Sequence, residues 1–585
     1  MITDVLASPA PGTEPSTSKE CQSFVELLTR RAAQHPNDVA FRFLQNGVEE
    51  ACVLTYSNLD CRVRSLAARL QQEQMAGERV VLLDPSGPES VIGILACLYA
   101  GAIGVPLYPP LPNRHFSRLH AVCLDAKPRA ALATKRVFEK SGDEFARLAE
   151  SFGLRMLAND DPCDTTADDW VCPDLNRDSV GYLQYTSGST LDAKGVMITH
   201  GNLLHNCETI ARAAHATRDD VGVNWLPLFH DMGLVGNVFV PLFVGFPLVC
   251  MPPEAFVMKP FAWLKAISQY GGTIAAAPDF AFNHCLQRTT PQQQATLDLS
   301  RWRVAFNGAE RINGQTLERF AEAFAPSGFR IEAFLPCYGL AEATLFVTGS
   351  RRDRAYFSRQ FDAASLGQGV ARRTNDGIPL VSCGDPHGDA EVVIVDPELE
   401  HPCAEERIGE IWVTGRSVTA GYWNRAQTTV EKYLVRDLGN GFRRYLRTGD
   451  LGFLHEGELF VTGRLKDLVI IGGHNIYPDD VDAAAESAHA AVCHGGAFAF
   501  AASDFGGPEQ LVVVVEIDQR KLDGETLHAV ARSIRSAVAK SIDVAVNELV
   551  LVKRNSLPRT TNGKKKRAAC RDEFARRQLK RLVDP

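Results

Sequence analysis

Three groups of residues carry types and spacings that could do chemistry. The first is Thr186, Ser187, Gly188, Ser189, Thr190, Lys194 and Gly195, set between two apolar runs. Glycines let backbone N–H groups approach an anion closely, and hydroxyls and an ammonium add donors and charge, so the group suits a polyphosphate. It does not have the Walker spacing. The second is Tyr338 with Glu342. Tyr338 offers a flat ring for a purine face, and Glu342 is a hard oxygen ligand of the kind Mg2+ takes beside phosphate oxygens. The third is Asp450 with Arg464, where a carboxylate can accept both hydroxyls of a ribose and a guanidinium adds a donor. Each has a plainer reading alone: a polar turn, a structural tyrosine, a Gly-Asp turn.

These groups need strands that end beside one another. Residues 79–83 and 103–107 read as strands flanking a helix at 89–99, and a helix at 54–70 is entered by Ser57 or Asn58 as its cap. Such alternation predicts α/β architecture with parallel-rich sheets covered by helices. His230 and Asp231 follow an apolar strand ending in Pro227, at the carboxyl end where ligands collect in open parallel sheets, although a helix-entry cap is the plainer reading. The segments holding Asn307, Gly308 and Ala309, and Tyr338, Gly339 and Glu342, each read as a strand opening into a helix. Residues 273–286 read as a small-residue strand and an apolar helix. From residue 466 the pattern becomes that of a separate small α+β unit, with Leu527, Val530, Ile534 and Val538 on one helix face.

A chain of 585 residues exceeds one core, so two or more domains are expected. Its 45% hydrophobic and 23% charged residues are those of a globular protein, and its net charge of -8 argues against general nucleic-acid or anionic-membrane binding. Fifteen cysteines are scattered without paired spacing, which points to neither a zinc site nor a disulfide framework and fits a reducing, cytoplasmic compartment. The first 20 residues read as a loose leader rather than a signal peptide. Residues 91–108 carry no charge, but Gly101, Gly104 and Pro106 break them into a buried helix and strand, not a membrane span.

The order and content of these motifs resemble the adenylate-forming superfamily, and most closely its fatty acyl-AMP ligases, over about residues 54–567. The resemblance implies a large N-terminal domain over residues 21–465 and a small mobile C-terminal domain over 466–585, hinged at Lys466. It implies ATP and Mg2+ as cofactors: the nucleotide's phosphates along residues 186–194, adenine on Tyr338, ribose on Asp450 with Arg464, metal on Glu342, and further cofactor contacts from Asn307, Gly308, Ala309 and Gly339. His230 and Asp231 would lie beside the acyl carboxylate and phosphate, and Pro278, Phe280 and Phe282 along the acyl pocket, where Asp279 departs from a commoner Asn. Lys564 would swing into the site for adenylation. The polar, Arg-rich residues 349–378 match an insertion thought to hinder the rotated, CoA-using arrangement.

By resemblance, then, the chain activates a medium- or long-chain fatty acid as an acyl-adenylate and passes the acyl group to the phosphopantetheine of an acyl carrier protein. Nothing after Arg567 could be a carrier domain, so that partner is expected as a separate chain. The nearest rival is an acyl-CoA ligase, which residues 472–478 also resemble. An amino-acid adenylating enzyme would need an acidic partner for an ammonium, with Asp279 or Asp231 the candidates. A non-catalytic protein binding nucleic acid through its basic tail is the rival of another class.

Overall fold

A computed structural model describes residues 21–110, 116–160, 165–185, 193–352, 355–471, 474–502, 510–542, 544–559 and 565–582. Among them, nine strands form one sheet whose centre is parallel: Phe334–Gly339, Val304–Asn307, Ile274–Ala277, Gly222–Asn224, Leu248–Cys250 and Val39–Gln45, in that order. A six-stranded sheet places Ile103–Pro106 beside Val180–Tyr185, which turns back antiparallel into Gly195–Thr199. The apolar helix Pro88–Ala100 ends on left-handed Gly101, so the uncharged run is a buried helix and strand. No helix among the described residues is long and apolar enough to cross a membrane.

A five-stranded antiparallel sheet follows, built on the long strand Phe442–His455. Beyond it, Val492–Ala502, Gln510–Ile517 and Glu548–Lys553 make a three-stranded sheet with its own core, in which Val513, Val515, Val530, Ile534 and Val538 are buried. The 3.6-residue period read in the helix Leu527–Ile542 is the face it buries.

Three local readings change. The helix Tyr56–Gln72 is capped by Thr55, whose hydroxyl accepts from the N–H of Asn58, not by Ser57 or Asn58. After Tyr338 the chain makes one tight turn, Ala341–Ala343, and returns as the strand Phe346–Gly349; no helix opens there. Residues 349–378 are more than a polar loop. They form the hairpin Ser358–Phe361 with Ile378–Val381 and the helix Ala363–Gly367. Phe361, Leu366 and Leu380 are buried against Phe453 and Phe460, and Gly367 lies against the backbone of Asn475.

Candidate functional site

The phosphate-loop candidates Thr186, Ser187, Gly188, Ser189 and Thr190 lie outside the described residues, but the stem of their loop is fixed. Tyr185 pairs with Gly195 across the hairpin, and its hydroxyl donates to Asp125 Oδ2 at 2.7 Å. Arg425 Nε holds Asp125 Oδ1 at 2.7 Å, and the N–H of Trp423 donates to the Gly195 carbonyl at 2.8 Å. The segment around residue 422 therefore runs as a brace along the strand that leaves the loop. Lys194 lies 5.9 Å from the ring centroid of Tyr422, a cation facing a π-surface.

Tyr422 also reaches Glu342. Its hydroxyl donates to Glu342 Oε1 at 2.7 Å, while the N–H of Thr419 donates to the Glu342 carbonyl at 2.9 Å. Burial raises the Glu342 carboxyl above its ordinary pKa, the Tyr422 hydrogen bond works against that, and Asp231 and Asp450 add to it. A cation at Glu342 would relieve this crowding of negative charge. Among the described residues no three His, Cys, Asp or Glu converge as an all-protein cage. One carboxylate is the donor set that a Mg2+ carried by substrate phosphates requires, so the residues fit that ion.

On the neighbouring strand, the Tyr338 hydroxyl donates to Asp450 Oδ2 at 2.8 Å. Asp450 stands opposite Arg464 in the antiparallel register, with Arg464 Nε 3.3 Å from Oδ1. Asp450 lies inside the strand Phe442–His455 rather than at a strand end. Left-handed Gly449 (φ +77°) precedes it, and the pairing with Gly409–Thr414 slips nearby. Asn307 is buried, and its Nδ2 donates to Asp279 Oδ1 at 3.2 Å. Gly308, Ala309 and Gly339 line the same cavity, Ala309 in the left-handed region at φ +72°. Asp279 is held up to about pKa 7, first by burial and then by Glu310, against bonds from the N–H of Asn313 and from Asn307.

His230 caps the short helix Asp231–Leu234 from an extended conformation, its ring 4.6 Å from that of Phe229. Gln184 Nε2 donates to the Phe229 carbonyl at 2.9 Å, tying this turn to the phosphate-loop strand. Of the three acyl-pocket candidates, Phe280 lines the cavity and meets Trp225 edge-on at 6.1 Å. Pro278 does not line it, and Phe282 is fully buried among Trp263, Trp302, Phe320 and Phe334. Phe282 belongs to the aromatic core. Two residues apart on a helix point about 200° apart, so Phe280 and Phe282 cannot share a wall.

Lys466 sits on the turn Leu465–Asp467 and lines the cavity. Lys564 lies outside the described residues. The basic run around it does not form an open patch: Lys565 pairs with Asp482 at 2.7 Å and Glu486 at 3.2 Å, and Arg567 pairs with Asp482 at 2.6 Å and with Asp479. One cavity of about 2250 Å³ is lined by Lys194, His230, Tyr338, Glu342, Tyr422, Asp450 and Lys466. It runs from Lys194, Glu342 and Asp450 past His230 to an apolar end at Ile210, Phe246 and Ile274. Tyr422 is the residue that sequence reasoning missed; its partner Glu342 is 80 positions away, and no local spacing announces it.

Known proteins with this arrangement share the whole chain. Residues 28–423 match the family model of AMP-binding enzymes, and residues 466–583 that of the Disco-interacting protein 2-like AMP domain. The chain is 39% identical over 567 residues to the medium-chain-fatty-acid–[acyl-carrier-protein] ligase JamA of Moorena producens, covering 95% of each. It is 36% identical to the long-chain-fatty-acid–AMP ligase FadD32 of Mycolicibacterium smegmatis, covering 94% of each. A solved fatty acyl-adenylate ligase of L. pneumophila, in complex with acyl adenylate and pyrophosphate, superposes with a TM-score of 0.75 at 35% identity over 95% of this chain and 97% of that one. With polar and apolar residues lining one cavity and these relatives along its length, the chain belongs to the AMP-binding enzymes, on the branch of the fatty acyl-AMP ligases.

Proposed function

We propose that this enzyme joins a medium- or long-chain fatty acid to ATP, releases pyrophosphate, and passes the acyl group from the acyl-adenylate to the phosphopantetheine thiol of a separate acyl carrier protein. The observation that carries the reading is the single cavity with Tyr338, Asp450, Glu342 and Lys194 at one end and an apolar lining at the other. Adenine lies against Tyr338, the ribose hydroxyls on Asp450 and Arg464, and the phosphates along the loop that ends at Lys194. Glu342 would hold Mg2+, which when bound would supply positive charge to the phosphate oxygens. The acid's carboxylate oxygen attacks the α-phosphorus, and the bond to the pyrophosphate oxygen breaks. No protein nucleophile is needed, so catalysis consists of alignment and charge stabilisation. His230 borders the meeting point of carboxylate and phosphate, and Lys564 supplies positive charge to the oxygens that gain charge.

A carrier protein is favoured over CoA because residues 358–367 pack between the five-stranded sheet and the segment at Asn475, where a rotating small domain has to move. Among the described residues no cysteine is joined to another in a disulfide, as suits a cytoplasmic enzyme. The test is a mass-spectrometric product assay with ATP, Mg2+ and fatty acids, with either CoA or a phosphopantetheinylated carrier protein as acceptor. Acyl-adenylate and acyl-carrier without acyl-CoA is the expected result. Efficient acyl-CoA formation would overturn the acceptor assignment, and absence of acyl-adenylate the whole reading.

A further inference from the structure

One helical segment walls the apolar end of the cavity, and two of its glycines differ in what they need. Asp231–Leu234 and Val240–Val244 are α-helical, and Val235–Phe239 between them is a π-helical bulge closed by the Val240 N–H to the Val235 carbonyl. Asn237 Nδ2 donates back to the Met232 carbonyl at 2.9 Å, satisfying an acceptor that the widened turn frees. The bulge turns Gly236, Asn237 and Val240 into the cavity.

At Gly233 a Cβ would fall 2.0 Å from the Pro227 carbonyl oxygen, so packing demands glycine. At Gly236 a Cβ would meet a single neighbour, Leu345 Cδ2, at an ordinary 3.7 Å, and the backbone there is not left-handed. Glycine weakens a helix, so a glycine that neither packing nor backbone requires has to be explained by the space it leaves. That space is cavity. Gly236 keeps accessible surface while its neighbours from Gly233 to Val240 are buried, and Leu345 lines the cavity opposite it.

The geometry points to Gly236 as the residue that sets which acyl chains fit: the chain of the acid passes over the open face of Gly236, alongside Leu345, on its way to Ile210 and Phe246, so a side chain at position 236 shortens the acids accepted. This rests on the fatty-acid reading above. The Asn237 side chain holds the bulge open and is a positioning residue for the same passage.

The test compares wild type, G236A, G236V and G236L by kcat/KM for acyl-adenylate formation across a series of saturated acids from six to sixteen carbons. Melting temperature and ATP binding are measured on each protein. The ratio of long-acid to short-acid kcat/KM is expected to fall with side-chain size, by about tenfold or more in G236L, a discrimination of the size that a methylene clash produces. ATP binding is expected to be unmoved. Loss in equal proportion at every chain length, or an unchanged length profile, overturns the role of Gly236 while leaving the fatty-acid reading intact. A wild type that adenylates no acid of any length overturns both. N237L, expected to close the bulge, should shift the profile in the same direction; a profile that stays put overturns the positioning role.

Discussion

Arg311, two residues beyond Ala309, meets Asp480 in the first turn of the helix Pro478–Ser487 with 2.5 Å between guanidinium nitrogen and carboxylate oxygen. Both side chains are largely buried, at 20% and 7% exposure, so the pair links the nucleotide-facing segment to the smaller core through a desolvated contact. Removing one partner of such a pair leaves a buried charge and costs about 3 kcal/mol or more, whereas removing both can be nearly neutral. R311M is therefore expected to lower stability in urea by about that amount, and R311M/D480M to recover most of it. Additive losses in the double variant would show that the two side chains do not act as a pair.

Tyr422 links Glu342 to Lys194, and Y422F deletes the hydroxyl while keeping the ring. A hydrogen bond to a charged group contributes about 1.5–3 kcal/mol, so the variant should need roughly tenfold or more Mg2+ for half-maximal rate. Manganese binding in the presence of a non-hydrolysable ATP analogue, followed by electron paramagnetic resonance, should weaken in parallel. In an E342Q background the same change is expected to do little. An unaltered metal dependence would reduce Tyr422 to a space-filling ring.

Asp279 is protonated in the folded chain up to about pH 7, whereas an unfolded aspartate loses its proton near 3.8. Between these values the folded state binds the extra proton, so its contribution to stability is full below about pH 4 and is lost as pH rises through 7. D279N keeps an acceptor for Asn307 and for the N–H of Asn313 without the titration. The slope of stability against pH between 4 and 7 should change by up to about 1.4 kcal/mol per pH unit, and the variant should be the more stable protein at pH 8. Parallel curves for the two proteins would remove Asp279 as the source.

G233A should be among the most damaging single-methyl changes in the chain. Its Cβ has to displace the backbone at Pro227, next to His230, so a loss of about 2 kcal/mol or more is expected together with lost adenylation. G236A, three residues on, should be neutral or raise stability by up to about 1 kcal/mol. Thermal unfolding of the two side by side checks the contrast.

K564A should slow acyl-adenylate formation by on the order of a hundredfold, the effect of removing a donor from a developing oxyanion, with unfolding temperature unchanged. Single-turnover adenylation measures it. Wild-type rates would free Lys564 of this role.

Much of this was legible because it is local. The strands on either side of residues 186–192 and the helix from Leu527 show in patterns a few residues long. What stayed hidden depends on distance or on handed geometry. Thr55 displaces Ser57 and Asn58 as the cap because the first helical residue is Tyr56, two or three residues earlier than either of those caps requires. Glu342 is on a tight turn since the chain must return at once to pair Phe346–Gly349 with Phe334–Gly339. Phe280 and Phe282 look alike in sequence and face opposite ways in the helix, and the contact of Tyr422 with Glu342 exists only once the braced strand is in place.

The contact of Arg311 with Asp480 and the lodging of Gly367 against Asn475 would also resist any parting of the smaller core from the rest. For the smaller core to swing away, a guanidinium and its carboxylate have to come apart and be rehydrated. Because that pair is largely buried, salt screens it little, and the cost of rehydrating it, more than ionic strength, would set how often a finished adenylate meets the solvent.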